Sequence, residues 1–281
     1  MQTEPEYDIS TLNFIRNPNP YIFRRHYSRG LRSHIFWLLH PEDAAKESKG
    51  EIREGIRIFP KARPGKVLRI FKRDFACLQD VLTEIRRYKI MVSFLAPENM
   101  ALSEEFAVTC LKSSGSKMLL CGLQDYVEGN ILDPWGEIHL GRHSDLFRNM
   151  EIPVENDPAA DAFFRKIRNS AAQFVCRIRK MVEETGLIPD LAGIGNILLS
   201  AAGDFRLVDI NNISAVTFGP EIRTDDKNFP VCDKSVEALS LMEEKLLGRM
   251  PDMSEKLYQA YLSPERKARA MEIIRKKFIS G

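Results

Sequence analysis

Between Pro189 and Asn211 the chain sets three oxygen-bearing side chains, Asp190, Asn196 and Asp209, around two short apolar runs, Ile197 to Leu199 and Phe205 to Val208. The runs are joined by Ala201-Ala202-Gly203-Asp204, and two short apolar segments flanking a Gly-Asp turn predict a β-hairpin. Asn196 then precedes the first strand and Asp209 ends the second, so the two side chains fall side by side. Amide and carboxylate oxygens are hard ligands that suit Mg²⁺ when phosphate oxygens complete the set. An ordinary surface hairpin uses Asn and Asp in the same places to support turns, so the pattern draws its weight from the segments around it.

Upstream, Gly65 to Lys72 reads as a strand, and Cys77 to Phe94 reads as a helix with apolar positions at Leu78, Val81, Leu82, Ile85 and Tyr88. Lys117 to Leu123 is a second apolar strand running into Gln124-Asp125-Tyr126-Val127-Glu128-Gly129. A long amphipathic helix is predicted from about Asp157 to Thr185, and it delivers the chain to Pro189 and Asp190. Further helices are expected over Lys234 to Leu247, Ser254 to Tyr261 and Pro264 to Phe278, with Ser263-Pro264-Glu265 as a start signal for the last. Thr224 to Asn228 reads as a loop.

In this order the segments resemble the protein-kinase-like superfamily, which includes the aminoglycoside and choline kinases. Asp209 lies thirteen positions after Asn196, the same separation as the metal-binding Asp and the catalytic-loop Asn of that family. The resemblance implies an α+β fold of two lobes, a small β-rich lobe over residues 1–123 and a mainly helical lobe over 124–281. It implies an ATP- and Mg²⁺-dependent phosphotransferase with Asn196 and Asp209 as metal ligands and Asp190 as the base toward an acceptor hydroxyl. Arg69, in Lys66-Val67-Leu68-Arg69, aligns with the phosphate-contacting cation of the third small-lobe strand, and Lys72 is the competing candidate on the opposite face by strand alternation. Glu84 is the helix carboxylate that would orient Arg69. Asp125, Tyr126 and Val127 stand where family members bind adenine through the backbone, and Gly30 marks a weak phosphate loop within Tyr27 to Phe36. Both cations and Glu84 equally suit solvated positions.

Two departures keep a second reading open. Pro189 replaces the residue usual before the catalytic Asp, and Asp190 is six positions before Asn196 where the family has five. Gly193 and Gly195 can reshape the loop to absorb the extra residue, or Asp190 can be left beyond reach of a hydroxyl, which gives a pseudokinase that binds nucleotide or a partner without transfer. The short tail lacks the activation segment of signalling kinases, so a small-molecule or glycolipid acceptor is expected before a protein one. A fortuitous likeness on an unrelated α+β fold is the third alternative.

With 281 residues and 44% hydrophobic content the chain can bury two cores. The polar start and the lack of any apolar run near ~18 residues predict no signal peptide and no membrane span, hence a cytoplasmic protein. Net charge is +2, which gives no drive toward nucleic acid. Arg165, Lys166, Arg168, Arg177, Arg179 and Lys180 on the long helix, with Arg275 to Lys277, read as solvated faces that could attract an anionic partner or surface. The five cysteines show no C-x-x-C pair and read as reduced. His139, His143 and Asp145 have ligand-like spacing, but the glycines around them make a loop and argue against a metal site.

Overall fold

Strands that are covered on both faces read as nearly continuous apolar runs, and the two strongest runs in the first half of the chain form the middle of its sheet. In the computed structural model, which describes residues 21–26, 32–112, 115–138, 145–147 and 158–279, these are β5 (Pro64–Phe71) and β7 (Gly115–Asp125). They join β1 (Ile22–Arg25), β2 (Ser33–Leu39) and β6 (Ser103–Lys112) in an antiparallel sheet of order β1-β2-β5-β7-β6. Leu68 and Ile70 of β5 pack on one face with Phe36, Leu38, Val108, Leu119 and Cys121. On the other face Phe71 packs with Phe75, Leu120 and Val81, the last from helix α2 (Leu78–Leu95). Between β2 and β5 a charged stretch forms helix α1 (Pro41–Lys49), which buries none of its residues, and the hairpin β3 (Glu51–Arg53) and β4 (Ile56–Ile58).

The chain divides into two compact units, residues 1–86 with 102–126, and residues 87–101 with 127–281. One boundary falls after Tyr126, and another cuts α2. Val81 and Ile85 belong to the sheet cluster, whereas Tyr88, Met91 and Leu95 belong to the core of the second unit.

That second core is organised by helix α3 (Pro158–Thr185), whose Phe164, Ile167, Ala171, Phe174, Ile178 and Val182 recur every three or four positions and are all buried. α3 stops at Gly186, whose φ of +64° lets its N–H close on Val182 O at 2.9 Å. Short strands follow: β9 (Leu187–Pro189), β10 (Ile197–Ser200), β11 (Phe205–Leu207) and β12 (Ile213–Ala215). β10 lies between β11 and β8 (Gly129–Leu132), and β9 pairs with β12. Helices α4 (Val231–Leu247), α5 (Lys256–Tyr261) and α6 (Pro264–Ile279) complete the unit. Arg266 of α6 reaches Asp233 of α4 at 2.5 Å, with both side chains under 10% exposed, and also donates to Gly219 O at 2.9 Å. No described helix is long and apolar enough to cross a membrane.

Candidate functional site

The strand pairing of the second unit forces two loops together. The chain passes from β9 to β10 through residues 190–196 and from β11 to β12 through residues 208–212. Because β9 pairs with β12 (Pro189 opposite Ile213) and β10 with β11 (Ile197 opposite Leu207), both loops span the same two ladders and must run alongside one another. At one end Asp190 meets Asn212. At the other, Asn196 meets Val208, whose N–H donates to Asn196 O at 2.8 Å, and Asp209 is the next residue.

Hydrogen bonds lock the loops. Asp190 Oδ1 accepts from the N–H groups of Ala192 (3.0 Å) and Gly193 (3.3 Å), and Asn212 Nδ2 donates to Asp190 Oδ2 at 2.9 Å. Asn196 Nδ2 donates to Asp190 O at 2.9 Å, and its N–H closes on Gly193 O at 3.1 Å. The segment from Asp190 to Asn196 is thus closed as a turn, with Gly195 at φ +91° and Ile194 exposed at its tip. Gly193 is needed because a Cβ there would lie 2.5 Å from Asn196 Nδ2. Asp209 Oδ1 accepts the N–H of Asn211 at 3.3 Å. Since the Asn196 amide nitrogen is bound to Asp190 O, its oxygen is the end left to act as a ligand.

Neighbouring elements hold the first loop from outside. Ser235 of α4 accepts the Leu191 N–H at 3.2 Å, and the Trp135 indole donates to Ala192 O at 2.9 Å. Lys234 Nζ sits 4.1 Å from the Trp135 ring centroid and is bonded to Glu237, which also takes Lys267 at 2.8 Å. Burial alone would raise the Glu237 pKa, but the two lysines outweigh it and hold the carboxyl below its ordinary value. Asn212, Ser235 and Trp135 were not singled out by sequence reasoning. Asn212 had a signal in the Asp209-Ile210-Asn211-Asn212 run, whereas the other two come from distant elements.

Among the described residues no three His, Cys, Asp or Glu side chains gather into a metal cluster. A cation at Asn196 and Asp209 would therefore depend on oxygens from its ligand, and the hard oxygen donors of this pair fit Mg²⁺.

In the first unit Arg69 has a carboxylate partner on the sheet, where the resemblance implies Glu84. Arg69 Nη2 donates to Glu105 Oε1 at 2.5 Å and to Ser103 Oγ at 3.1 Å, both on β6, while Glu84 faces Arg73 at 3.6 Å. Arg73 lies in the connection leading to α2, so Glu84 near the start of that helix meets it locally. Lys72 stands just past the end of β5, and its N–H donates to Arg32 O at 2.8 Å. Asp125 closes β7, with its N–H on Leu102 O (2.8 Å) and its carboxylate on Lys66 (2.5 Å); the Tyr126 N–H donates to Gly65 O at 3.3 Å. The main-chain donors of Asp125 and Tyr126 are thus already committed, and Val127 follows in the connection to β8. Gly30, and His139 with His143, lie outside the described residues. Of the basic residues on α3, Lys166 faces Asp204 (3.8 Å), Arg177 faces Glu98 (2.7 Å), Arg179 faces Glu255 (2.6 Å) and Lys180 faces Glu184 (3.7 Å), so acidic partners offset much of that stripe. No family model matches the chain, and no curated protein matches it.

Proposed function

We propose that this protein is an ATP- and Mg²⁺-dependent phosphotransferase of kinase-like fold, acting on a hydroxyl of a small-molecule or glycolipid acceptor. The observation that carries the reading is the pair of interlocked loops, which puts Asp190, Asn196, Asp209 and Asn212 on two adjacent connections. The first unit supports it as well: the strand bearing Arg69 is third in the five-stranded sheet, α2 follows it, and the last strand ends at Asp125. In this reading Asn196 and Asp209 supply oxygens to the metal, and Arg69 is the phosphate-contacting cation. Asp190 accepts the acceptor proton, with its carboxylate aimed by Asn212 and by the Ala192 and Gly193 amides. Mg²⁺ held by Asn196 and Asp209 would supply positive charge that offsets the negative charge developing on a transferred phosphate. Positioning and charge stabilisation would then do most of the catalysis.

The same hydrogen bonds favour a second reading. Asp190 already accepts three donors, which is the role of a structural turn carboxylate, so a nucleotide-binding module without transfer is the alternative. Thermal unfolding with and without ATP and Mg²⁺ tests the first step, since a ligand that binds only the folded state must stabilise it. A Mg²⁺-dependent rise in Tm that Asp209→Ala abolishes is expected. No rise at millimolar ATP refutes both nucleotide-dependent readings. Given binding, Asp190→Asn should abolish transfer to an acceptor hydroxyl while sparing ATP affinity; equal turnover in the variant removes Asp190 from the base role.

A further inference from the structure

The excursion between β2 and β5 leaves three large apolar side chains exposed, Ile52 and Ile56 at 67% and Phe59 at 60%. They stand on a projection that is itself ordered. Glu54 and Gly55 join β3 to β4 with φ of +50° and +80°, the two positive values of a tight turn that matches strand twist. Arg57 Nη1 donates to Lys49 O at 2.7 Å and ties the hairpin to the end of α1. Glu47 in turn fixes α1 to β1 through Arg24 (2.5 Å) and to the approach to β5 through the Ala62 N–H (3.3 Å).

The register spreads the exposed side chains over both faces of this two-stranded ribbon. Ile52 is opposite Arg57 and Arg53 is opposite Ile56, so each face carries one isoleucine beside one arginine. A hairpin that covers a core keeps one face apolar and the other polar, which is not the pattern here. Residues 49–63 also carry five exposed cations, among them Lys49, Arg53 and Arg57, against two carboxylates, in a chain whose net charge is only +2.

We infer that this hairpin is a peripheral docking element for an anionic lipid bilayer. A groove on a partner protein covers one face of a ribbon, whereas a bilayer interface surrounds whatever enters it and so takes up an isoleucine on each face together with Phe59. The cations lie over their apolar stems and reach lipid phosphates. The ribbon has only two strands, so its outer edges present backbone polar groups that hydrocarbon would leave unsatisfied, and Glu54 stands at the turn. Entry therefore stops at the headgroup boundary, where water still reaches them. The inference does not depend on the phosphotransferase reading.

Flotation of the full chain with vesicles of phosphatidylcholine, alone or mixed with phosphatidylglycerol, tests it. The wild type should float with the mixed vesicles, stay behind with phosphatidylcholine alone, and be released as salt is raised. Ile52→Ser, Ile56→Ser and Phe59→Ser combined should lower affinity for the mixed vesicles by about tenfold or more, since each removes an apolar side chain from the interface. Lys49→Gln with Arg53→Gln should also lower it by about tenfold or more, each cation contributing roughly fivefold. All five positions are exposed, so either set should leave Tm nearly unchanged. If the triple variant does not fold, Ile56→Ser alone should still weaken binding by about threefold. No flotation with the mixed vesicles, equal flotation with phosphatidylcholine alone, or wild-type affinity in either set overturns the inference. So does a wild-type dimer in sedimentation velocity that the serine variants dissociate, because a second copy of the chain then occupies the hairpin.

Discussion

Replacing Gly193 by alanine is the sharpest perturbation of the loop pair. The new Cβ would lie 2.5, 2.7 and 2.8 Å from Asn196 Nδ2, Oδ1 and Cγ, all below contact distance, so the Asn196 amide must move. Moving it breaks the 2.9 Å bond to Asp190 O. Asn196 is buried, and leaving a polar partner unsatisfied there costs about 1–3 kcal/mol. Alanine stiffens the unfolded chain and returns about 0.4–1 kcal/mol. The net expectation is a loss of about 1–2 kcal/mol, with loss of any Mg²⁺-dependent stabilisation by ATP. Urea unfolding of Gly193→Ala, Asn196→Ala and the double variant isolates the cause, since the clash vanishes once Asn196 is truncated. The coupling should therefore be about 1–2 kcal/mol. Gly195→Ala is the control: its φ of +91° strains any side chain, yet nothing lies within 4 Å of the added Cβ, so its cost should add to that of Asn196→Ala. If Gly193→Ala costs as much in the Asn196→Ala background as in the wild type, the steric argument is wrong.

The Glu237 carboxyl is held below its ordinary value of 4.5 by Lys234 and Lys267, so its contribution to stability is present above pH 4.5 and lost as pH falls through the folded-state value. The stability gap between wild type and Glu237→Gln in urea should thus narrow from pH 6 to pH 3.5, and a constant gap contradicts it. Arg266→Ala strands the buried Asp233 carboxylate and should cost about 3–5 kcal/mol, whereas joint replacement, Asp233→Leu with Arg266→Met, should cost far less. Equal losses in urea for the two variants would refute the idea that the stranded charge, rather than the lost pair, sets the cost.

The elements that could be read from the sequence are those whose pattern is local. α3 repeats apolar residues over 28 positions, and β5 is buried on both faces, so both are recognisable within a few residues of their ends. β6 was missed because Glu104 and Glu105 interrupt its apolar pattern, and Glu105 looks like a surface charge until a guanidinium two strands away is brought to it. The resemblance to a kinase small lobe implied Glu84 for that place, but sequence patterns cannot register an ion pair that depends on a glycine in a third strand. β9 and β12 have three residues each, too few for a periodic signal, although their pairing is what sets Asn212 against Asp190.

Leu207 has a further consequence. Its N–H donates to Asn99 O at 3.0 Å and its carbonyl accepts from Ala101 at 2.9 Å, while its strand pairs with β10 on the other side; Asn99 Nδ2 adds a bond to Phe205 O at 3.0 Å. The strand leading to Asp209 is therefore no open edge, and the arms carrying Asn196 and Asp209 are ordered before any ligand arrives. The entropy of arranging them is lost during folding, so a ligand binding to this pair would not incur that penalty.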